Sequence, residues 1–538
     1  TAGLGLTGGA ATTCSACSSS LGSIALGVTL LQTRQADLVV AGGYDTVCEY
    51  VWGGFNALRL VTDGPLRPFT RGRRGMKLGE GYGIVVLERL GDAKRRGAGA
   101  KAIVAGWGES ADAHHLTQPH PQGEGAHRAM RGALDRAGID ASQLGLVAAH
   151  ATGTPDNDAA EHAALTQLLG ERLADVPVVC FKSHLGHTLG GAGAAELILS
   201  ALAIRDGVIP ACANVRPEDV EYPGLRVTTG QPSRGDVRYT LNTSLGFGGA
   251  NTCVVLASPQ QAGGMGVSPM RSKDENGQHG RDAHATANAR PREVWVTGIG
   301  VLLPGAIGNE AFIARLRESM STAWQVPPGA IEDVDFEHLL NARRVRRMSN
   351  YVKLTLAAAT LACRDAGLAE QADLLRDTSA FLGTTHGSSA FCVDYYAQIV
   401  REGVLAANPM LFAEGVPNVG AAQLSAMLGL KAACQSIIGS RTAGLDALRL
   451  AWLRVCSGAI DRVIVSGGEE SQATVNRAYD ECGLRSAGAS CAPFAGTSGF
   501  CSTAGAVSLV IESSDAARAR GAIPYARIDG AAAAWGER

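Results

Sequence analysis

The chain has 538 residues, of which 46% are hydrophobic and 18% charged, with a formal net charge of −2. This length predicts two or more domains with sizeable cores, and the near-neutral charge gives no indication of a nucleic acid or an anionic membrane surface as partner. No apolar run approaches the roughly 20 residues that span a bilayer, and 13 scattered cysteines predict a reducing, cytoplasmic setting.

The first predicted element is a helix that follows a cysteine in a turn of small residues. Cys17 stands in the run Ser15-Ala-Cys-Ser-Ser-Ser. Apolar residues then recur at helical spacing, at Leu21, Ile24, Ala25, Val28 and Leu31. The N–H groups and the dipole at a helix N-terminus favour a thiolate, so the pattern is typical of a nucleophile. A cysteine that only fills space in a core remains the alternative at this point.

Two other motifs near the start of the chain carry less weight. Cys14 and Cys17 form a C-x-x-C, but no second pair and no histidine pair follow at zinc-ligand spacing, so no metal is predicted. The run Gly3-Leu-Gly-Leu-Thr-Gly matches a dinucleotide fingerprint, yet no strand precedes it in this chain. Neither motif therefore predicts a bound metal or dinucleotide.

Strands and helices are predicted to alternate through the first half of the chain. The predicted strands cover 36–43, 79–88, 146–153 (running into a polar turn), 178–181 and two stretches between 239 and 256; the predicted helices cover 126–137, 161–169 and a segment ending at Ile204. Apolar strands interleaved with helices predict an α/β fold with a largely buried mixed sheet.

The composition changes between residues 259 and 291, which are polar and lack periodicity, so they are predicted to be a disordered linker. A strand is predicted again from Val294, and a weak internal repeat follows at an offset of 424 residues. This offset places Arg441 at the position equivalent to Cys17. Cys434 lies seven residues earlier and would not occupy the turn. We refer to residues 1–258 as the first copy and to residues 292–538 as the second copy, which is predicted to lack the nucleophile.

Three further segments of the first copy carry histidine, lysine or glycine in unusual settings. They are His150-Ala-Thr-Gly-Thr-Pro-Asp-Asn-Asp, Lys182-Ser-His-Leu-Gly-His and Asn242-Thr-Ser-Leu-Gly-Phe-Gly-Gly-Ala-Asn. A single histidine is more often structural than catalytic. Together with a cysteine at a helix N-terminus, however, the set indicates acyl transfer, in which a thiolate holds the acyl group and imidazoles stabilise an oxyanion.

These segments resemble the β-ketoacyl synthases of fatty-acid and polyketide assembly, over residues 1–258 nearly throughout. The resemblance implies that Cys17 accepts the growing acyl chain and that His150 and His187 promote decarboxylation of a malonyl unit. It implies that Lys182 holds charge and hydrogen bonds in place, with Glu161 and Asp158 in support. The backbone N–H groups of Cys17 and Phe247 would form the oxyanion hole, and Phe247, between Gly246 and Gly248, would gate the acyl pocket.

The family also implies a thiolase-type layered αβαβα fold with mixed sheets, present here as two partial copies. The expected activity is the decarboxylative Claisen condensation of an acyl thioester with malonyl-acyl carrier protein, without metal or cofactor. The expected partner is an acyl carrier protein, and the expected assembly is a homodimer or an intrachain pseudo-dimer. The second copy, with Arg441, resembles the chain-length-factor subunits, which lack the cysteine and pair with an active partner.

Two alternatives stay open from the sequence. Thiolases share the fold and act on coenzyme A thioesters with a second cysteine late in the chain, for which Cys253 is the one candidate. A non-catalytic scaffold for acyl chains or carrier proteins is the other, favoured by Arg441 for the second copy only. The sequence departs from the family pattern in two places. Thr70 follows Arg-Pro-Phe, where the family often has an aspartate. The first copy also lacks, ahead of Cys17, the first part of the fold that the family leads us to expect there.

Overall fold

The computed structural model of the protein describes residues 2–263, 291–319, 331–486 and 499–534. The chain divides into two compact units: unit 1 contains Thr1–Cys14, Arg292–Cys456 and Ile460–Arg538, and unit 2 contains Ser15–Pro291 and Ser457–Ala459. Thr1–Cys14 thus groups in unit 1 with residues of the second copy. Among the helices of the described ranges, none combines the length and the apolar character of a membrane span.

Strands and helices alternate along much of the chain. The strands are β1 Thr12–Cys14, β2 Leu38–Asp45, β3 Gly81–Glu88, β4 Ile103–Ala111, β5 Leu146–Ala148, β6 Val178–Val179, β7 Val208–Ile209, β8 Ser233–Arg234, β9 Tyr239–Leu245, β10 Ala250–Ala257, β11 Val294–Leu303, β12 Ala306–Ile307, β13 Ser379–Thr384, β14 Cys434–Ile438, β15 Arg462–Glu469, β16 Gly505–Ser513 and β17 Ala526–Ile528. The helices are α1 Ser19–Gln32, α2 Glu49–Ala57, α3 Leu90–Arg95, α4 Glu124–Ala137, α5 Pro155–Leu169, α6 Lys182–Leu185, α7 Ala192–Asp206, α8 Asn309–Ser319, α9 Asp333–Phe336, α10 Ala342–Val345, α11 Asn350–Asp365, α12 Ala372–Arg376, α13 Ser389–Glu402, α14 Pro409–Gly415, α15 Val419–Leu428, α16 Ala443–Cys456, α17 Ala473–Glu481 and α18 Ser514–Ala519.

Unit 2 is built on a mixed sheet with the strand order β4-β10-β9-β5-β6. Strands β9 and β10 are buried along their whole length, pair antiparallel and are joined by the turn at Gly246–Gly249, as the sequence predicted. Helix α4 packs on β4 so closely that a Cβ on Gly108 would lie 1.9 Å from the carbonyl oxygen of Ala129. The predicted α/β class is therefore confirmed.

Two details of the sequence prediction for unit 2 are wrong. Helix α5 begins at Pro155, six residues before the predicted start, because proline is favoured in the first turn, where no N–H is needed. Strand β2 pairs with β3 alone in a separate two-stranded sheet, and every second residue of β2 is exposed over much of its length, so it is not a buried strand.

Unit 1 contains a larger sheet with the order β1-β14-β13-β15-β16-β11-β12, and β17 pairs with β11. The three strands β14, β13 and β15 run parallel. Strand β1 pairs antiparallel with β14, and the central residue pair is Thr13 and Ile437. These two residues are separated by the repeat offset of 424, so the ladder is centred on a pair of equivalent residues of the two copies.

The internal repeat is visible in the elements themselves. Each of α16, β15, α17 and α18 begins and ends 424 residues after α1, β2, α2 and α3, respectively. The predicted linker begins with a short 3-10 helix at Pro259–Gly263. Its remainder, including His279 and His284, lies outside the described residues.

Candidate active site

Cys17 lies in a tight turn immediately before helix α1 and is 5% exposed. The preceding residue, Ala16, has a φ of 52°, a left-handed conformation that is uncommon for residues other than glycine. The Ser18 hydroxyl closes the turn, since its oxygen lies within hydrogen-bond distance of the carbonyl oxygens of Ser15, at 2.8 Å, and Ala250, at 2.9 Å. The turn thus fixes the sulfur at the start of the helix, as the run of small residues predicted.

Two histidines from other elements meet the cysteine. The Nε2 atom of His187 lies 3.2 Å from the Cys17 sulfur. The rings of His150 and His187 are 5.2 Å apart, centre to centre, in an edge-to-face arrangement. All three side chains are at most 5% exposed. Residues separated by up to 170 positions in the sequence therefore form one buried Cys-His-His cluster.

The hydrogen bonds of His187 define its proton-donating side. The backbone N–H of Leu189 donates to Nδ1 of His187 at 3.2 Å, so Nδ1 must offer its lone pair. In a neutral imidazole the ring proton is then on Nε2, which points at the sulfur of Cys17. His187 can therefore donate a hydrogen bond to a thiolate or to a substrate carbonyl oxygen.

His150 is positioned through its backbone at the end of β5. The Glu161 carboxylate accepts hydrogen bonds from the N–H groups of His150, at 2.8 Å, and Ala151, at 2.7 Å, and from the Thr243 hydroxyl at 2.6 Å. Ala151 has a φ of 41°, which turns the chain sharply after the histidine. Glu161 thus holds the turn that carries His150.

Lys182 has a carboxylate partner that the sequence motifs did not identify. Its Nζ atom lies 2.7 Å from Glu196 on helix α7, and both side chains are almost completely buried. A buried lysine requires a counter-charge, which is the signal that could have singled out the one acidic residue of the glycine-rich segment after His187. Burial raises the pKa of Glu196 to about 7, although the Lys182 ammonium acts in the opposite direction.

The electrostatics of the cluster keep both imidazoles neutral. Burial, followed by the positive charge of Lys182, lowers the pKa of His150 and of His187 well below the ordinary value of 6.5. Neutral imidazoles donate hydrogen bonds without carrying a charge into the site. The cluster therefore combines a buried cysteine with two uncharged hydrogen-bond donors.

Asp158 lies outside the Cys-His-His cluster and links two other segments of unit 2. Its carboxylate accepts hydrogen bonds from the N–H groups of Phe69, at 2.8 Å, and Gly153, at 3.1 Å, and it lies 3.7 Å from Arg73. Burial raises the pKa of Asp158 to about 7. It ties the segment containing Thr70 to the turn that follows His150.

Phe247 lies in the glycine turn between β9 and β10 and contacts the ring of Phe55 at 5.2 Å between ring centres. A Cβ on Gly246 would lie 2.4 Å from the carbonyl oxygen of Ser15, so this turn abuts the turn of Cys17. Gly248 has a φ of 84° and donates to Leu116 O at 2.7 Å. This glycine permits the left-handed backbone conformation of the turn that carries Phe247.

Several other histidines and Cys253, the thiolase candidate, have other contacts or positions in unit 2. His184 bonds to the carbonyl oxygen of Ala211 at 2.8 Å, and the His115 ring accepts from the N–H of Thr117. His114 contacts the ring of His120. Cys253 is buried in β10, and burial raises the pKa of its thiol well above the ordinary value.

The equivalent position in unit 1 has a different chemistry. Arg441 lies two residues before α16, as Cys17 lies two residues before α1, and its guanidinium is 5.5 Å from the centre of the Phe500 ring. Cys434 is buried in β14, donates to Ala421 O at 2.8 Å, and has a pKa raised by burial to about 12. No described residue of unit 1 therefore offers a thiol at the helix N-terminus equivalent to that of Cys17.

The Cys-His-His cluster has a spacing that a metal ion could use, since its ligand atoms lie within 4.8 Å of one another. Coordination by Nε2 of His187 would require a lone pair there. The Leu189 N–H already occupies the lone pair on Nδ1, and a neutral imidazole has only one of the two nitrogens free of a proton. The geometry favours a hydrogen-bond donor over a metal ligand.

Comparison with known proteins relates most of the chain to one family. Residues 1–93 and 291–517, more than half of the chain, match the beta-ketoacyl synthase N-terminal domain, and residues 101–216 match the beta-ketoacyl synthase C-terminal domain. The 3-oxoacyl-[acyl-carrier-protein] synthase 2 of Staphylococcus aureus is 36% identical over 259 residues, which are 47% of this chain and 64% of the relative. The enzyme of the same name from Rhizobium meliloti (strain 1021) is 39% identical over 249 residues, 45% of this chain and 59% of the relative.

A solved structure described as PfaC Keto synthase-Chain length factor matches 98% of this chain and 60% of its own chain, with a TM-score of 0.79 and 19% sequence identity. This likeness concerns the fold, and it confirms the thiolase-type α/β architecture expected from the sequence. The chain spans less than two thirds of the length of these relatives. The match of the family profiles to both copies shows that the chain belongs to the beta-ketoacyl synthase family.

Proposed function

We propose that the protein is a β-ketoacyl-acyl-carrier-protein synthase, in which Cys17 carries an acyl group and a malonyl thioester is condensed onto it. The observation that carries this proposal is the buried Cys17-His150-His187 cluster with Lys182 and Glu196 behind it. The names of both relatives include the acyl carrier protein, and this supports an acyl carrier protein as the partner of this chain.

In the first half-reaction, the Cys17 thiolate attacks the carbonyl carbon of an acyl-carrier-protein thioester. The new C–S bond replaces the old one, and the carrier leaves as a thiolate that takes up a proton from solvent. The position of the sulfur at the start of α1 and the Nε2–H of His187 both favour the thiolate. The oxyanion of the tetrahedral intermediate would be bound by the backbone N–H groups of Cys17 and Phe247.

In the second half-reaction, a malonyl thioester places its carbonyl oxygen between His150 and His187. The bond to its carboxylate breaks, CO2 leaves, and the electron pair forms an enolate whose oxygen the two neutral imidazoles stabilise. The enolate carbon then attacks the acyl carbonyl on Cys17, forming a C–C bond and returning the sulfur as a thiolate. Lys182 acts through its positive charge, which helps to keep the imidazoles neutral.

We further propose that the second copy is a chain-length-factor-like domain and that the two copies act as an intrachain pseudo-dimer. Arg441 in place of the cysteine supports this assignment, as does the β1–β14 ladder, which is centred on the equivalent residues Thr13 and Ile437. The proposed boundaries remain 1–258, 259–291 and 292–538. A purified assembly in which two first copies pair as a homodimer would contradict the pseudo-dimer.

A cytoplasmic location is proposed from the cysteines. The twelve cysteines within the described ranges are all free thiols, as a reducing compartment would keep them. This supports the proposal because Cys17 must remain reduced to act as a nucleophile.

The proposal is tested by incubating the chain with an acyl-carrier-protein thioester, followed by digestion and mass mapping. We expect one acyl group on the peptide containing Cys17 and none in Cys17→Ala. Cys14→Ala is the matched control, because Cys14 belongs to the same C-x-x-C yet lies in β1, and it should leave acylation unchanged. Absence of the adduct from protein with native circular dichroism would refute the proposal and favour a scaffold.

A further inference from the structure

Cys180 and Cys212 lie side by side in unit 2. The backbone N–H of Cys180 donates to the sulfur of Cys212 at 3.1 Å, although the two residues are 32 positions apart in the sequence. The hydroxyl oxygen of Thr228 lies 3.6 Å from the same sulfur. Neither cysteine belongs to the Cys-His-His cluster, so the two form a second group of thiols in this unit.

Backbone hydrogen bonds hold the two thiols next to each other. The N–H of Cys212 donates to Thr228 O at 2.8 Å, and the N–H of Thr228 donates to Val178 O at 2.9 Å. Val178 belongs to β6, which ends immediately before Cys180. The segments that carry the two sulfurs are therefore tied together through the segment of Thr228, and their proximity does not depend on the side chains alone.

The two thiols differ in exposure and in acidity. Cys180 is 0% exposed and Cys212 is 5% exposed. A hydrogen bond from the Cys180 thiol is the largest cause that lowers the pKa of Cys212, against the opposite effect of burial. Burial, followed by the same hydrogen bond, raises the pKa of Cys180 well above its ordinary value. Because the thiolate is the nucleophilic form of cysteine, Cys212 is the sulfur that reacts first.

We propose that Cys180 and Cys212 form an oxidation site for hydrogen peroxide, at which a reversible disulfide slows condensation. An acidic cysteine beside a second thiol is the arrangement of redox-sensitive cysteines. Both thiols are free in the structure, and disulfides of reducing compartments are usually transient. Formation of the disulfide does not depend on the proposed function, whereas its effect on condensation rests on that function.

The oxidation takes place in two balanced steps. The Cys212 thiolate attacks one oxygen of the peroxide, so that an S–O bond forms and the O–O bond breaks. The hydroxide that leaves takes up the proton given by Cys212 and becomes water. The Cys180 sulfur then attacks the sulfur of Cys212, an S–S bond forms, and the hydroxide lost from the sulfenic acid takes the Cys180 proton. The two thiols lose two electrons and two protons, and the peroxide becomes two waters.

The pair stands next to the segment that carries Lys182. The Ser183 hydroxyl donates to Cys180 O at 2.6 Å and accepts from the N–H of Ala213 at 2.9 Å. A disulfide requires the two sulfurs to lie about 2 Å apart, closer than a hydrogen bond between thiols brings them. Its formation would draw Cys180 towards Cys212 and shift Lys182, which follows two residues later. Small displacements of groups at an active site are costly for the rate.

The oxidation site is tested by treating the full chain with hydrogen peroxide, followed by alkylation, digestion and mass mapping. We expect linked peptides that contain Cys180 and Cys212, and their separation by a phosphine reductant. In Cys180→Ser the second thiol is missing, so dimedone should label Cys212 as a sulfenic acid. In Cys212→Ser neither the disulfide nor a label on Cys180 should form. Cys253→Ala is the matched control, since Cys253 is buried in the same unit and should not affect the disulfide.

The effect on condensation is measured after Cys17 has been acylated, because the thioester protects that sulfur from the peroxide. Catalase then removes the peroxide, and malonyl-acyl carrier protein is added. We expect condensation to be at least tenfold slower after oxidation and to recover with the phosphine. Cys212→Ser should be insensitive to the peroxide, and Cys253→Ala should respond as the parent chain does.

The exposed Cys48 reports whether the peroxide treatment was effective. Oxidation of Cys48 without a disulfide between Cys180 and Cys212 would overturn the proposed site. A disulfide that leaves condensation unchanged, or an equal loss of rate in Cys212→Ser, would overturn the regulatory role. If Cys17 takes no acyl group, the proposed function and the regulatory role both fail, while the disulfide map still decides the oxidation site.

Discussion

Lys182 is the buried charge on which the candidate active site depends. Its ammonium is 1% exposed and has Glu196 as its carboxylate partner at 2.7 Å. Removing one member of a buried ion pair leaves the other without compensation. The same ammonium also acts on His150 and His187, whose pKa values it helps to lower after burial. The pair therefore affects both the stability of unit 2 and the protonation of the imidazoles.

We predict that Lys182→Met lowers the free energy of unfolding at pH 8 by about 3 kcal/mol, because Glu196 then stays buried without its counter-charge and must take up a proton to become neutral. Urea denaturation followed by circular dichroism measures the loss. Lys94→Met is the matched control, since Lys94 is exposed on α3 and should cost less than about 1 kcal/mol. Equal losses in the two variants would contradict a stabilising role for the pair.

Asp158 gives the molecule a defined pH dependence. Burial raises its pKa from 3.8 to about 7 in the folded protein. The folded state therefore binds the proton more tightly than the unfolded state does between about pH 4 and 7. This contribution is complete at the acid end of that window and is lost as the pH rises through 7.

We predict that Asp158→Asn makes the fall in unfolding free energy between pH 4 and 7 shallower, by up to about 1.4 kcal/mol per pH unit. Denaturant titrations at several pH values check the slope. Asp140→Asn should leave the slope in this window unchanged, because hydrogen bonds from Ser142 lower the pKa of the exposed Asp140. A slope in Asp158→Asn equal to that of the parent protein would assign the pH dependence to other groups.

The sequence was informative about residues that belong to compact motifs. Cys17, His150, Lys182 and His187 could be named because each stands in a short run with its own glycines or small residues. Glu196 was missed because it lies on a different helix from Lys182, and only the burial of the lysine shows that an acid is needed. The contacts of Glu161 were not predictable either, since its hydrogen bonds to backbone N–H groups depend on how the chain turns after β5.

At the scale of elements, His187 is fixed by a short backbone ladder with the segment before β3. Its N–H donates to Lys77 O at 2.6 Å, and its carbonyl oxygen accepts from the N–H of Gly79 at 3.0 Å. A Cβ on Gly79 would lie 2.2 Å from the carbonyl oxygen of Leu185. Only glycine allows the two segments to approach this closely.

We predict that Gly79→Ala moves the segment away from His187 and lowers the rate of condensation at least tenfold, since small displacements of catalytic groups are costly. Steady-state assays with acyl and malonyl carrier-protein substrates measure the rate. Gly72→Ala is the matched control, because a Cβ on Gly72 has no neighbour within 4 Å and its backbone is not left-handed. A Gly79→Ala enzyme with the parent rate would show that this ladder does not position the histidine.

The alternation of helices and strands was predictable at this scale because apolar periodicity reports burial directly. The exposure of β2 was not predictable, because its apolar composition suggested a buried strand. Composition shows that a strand is suited to burial on both faces, but whether a covering element is present depends on tertiary packing. The early start of α5 was missed because Pro155 was read as part of a turn, when it occupies the first turn of the helix.

At the scale of the whole molecule, one architecture is used twice with different chemistry. Helices α1 and α16 coincide at both ends after the offset of 424, and so do β2 and β15. The first copy contributes His150 and His187 from elements far downstream of its cysteine. The second copy contains two histidines, His338 and His386, and His386 bonds to the hydroxyl of Tyr479 at 2.6 Å. The two copies therefore share these elements and differ at the residue two positions before α1 and α16, which is Cys17 in the first copy and Arg441 in the second.

We predict that Arg441→Cys does not create a second acylation site. The new thiol would stand at the start of α16 and share the helix dipole with Cys17. It would lack a pair of histidines, because the described residues of unit 1 include no pair beside position 441 that is comparable to His150 and His187. Incubation with an acyl-carrier-protein thioester and intact-mass measurement should show one acyl group per chain in Arg441→Cys. The double variant Cys17→Ala, Arg441→Cys should carry none. An acyl group on the double variant would show that helix position alone activates the thiol, and the roles proposed for the histidines in forming the acyl-enzyme would then be wrong.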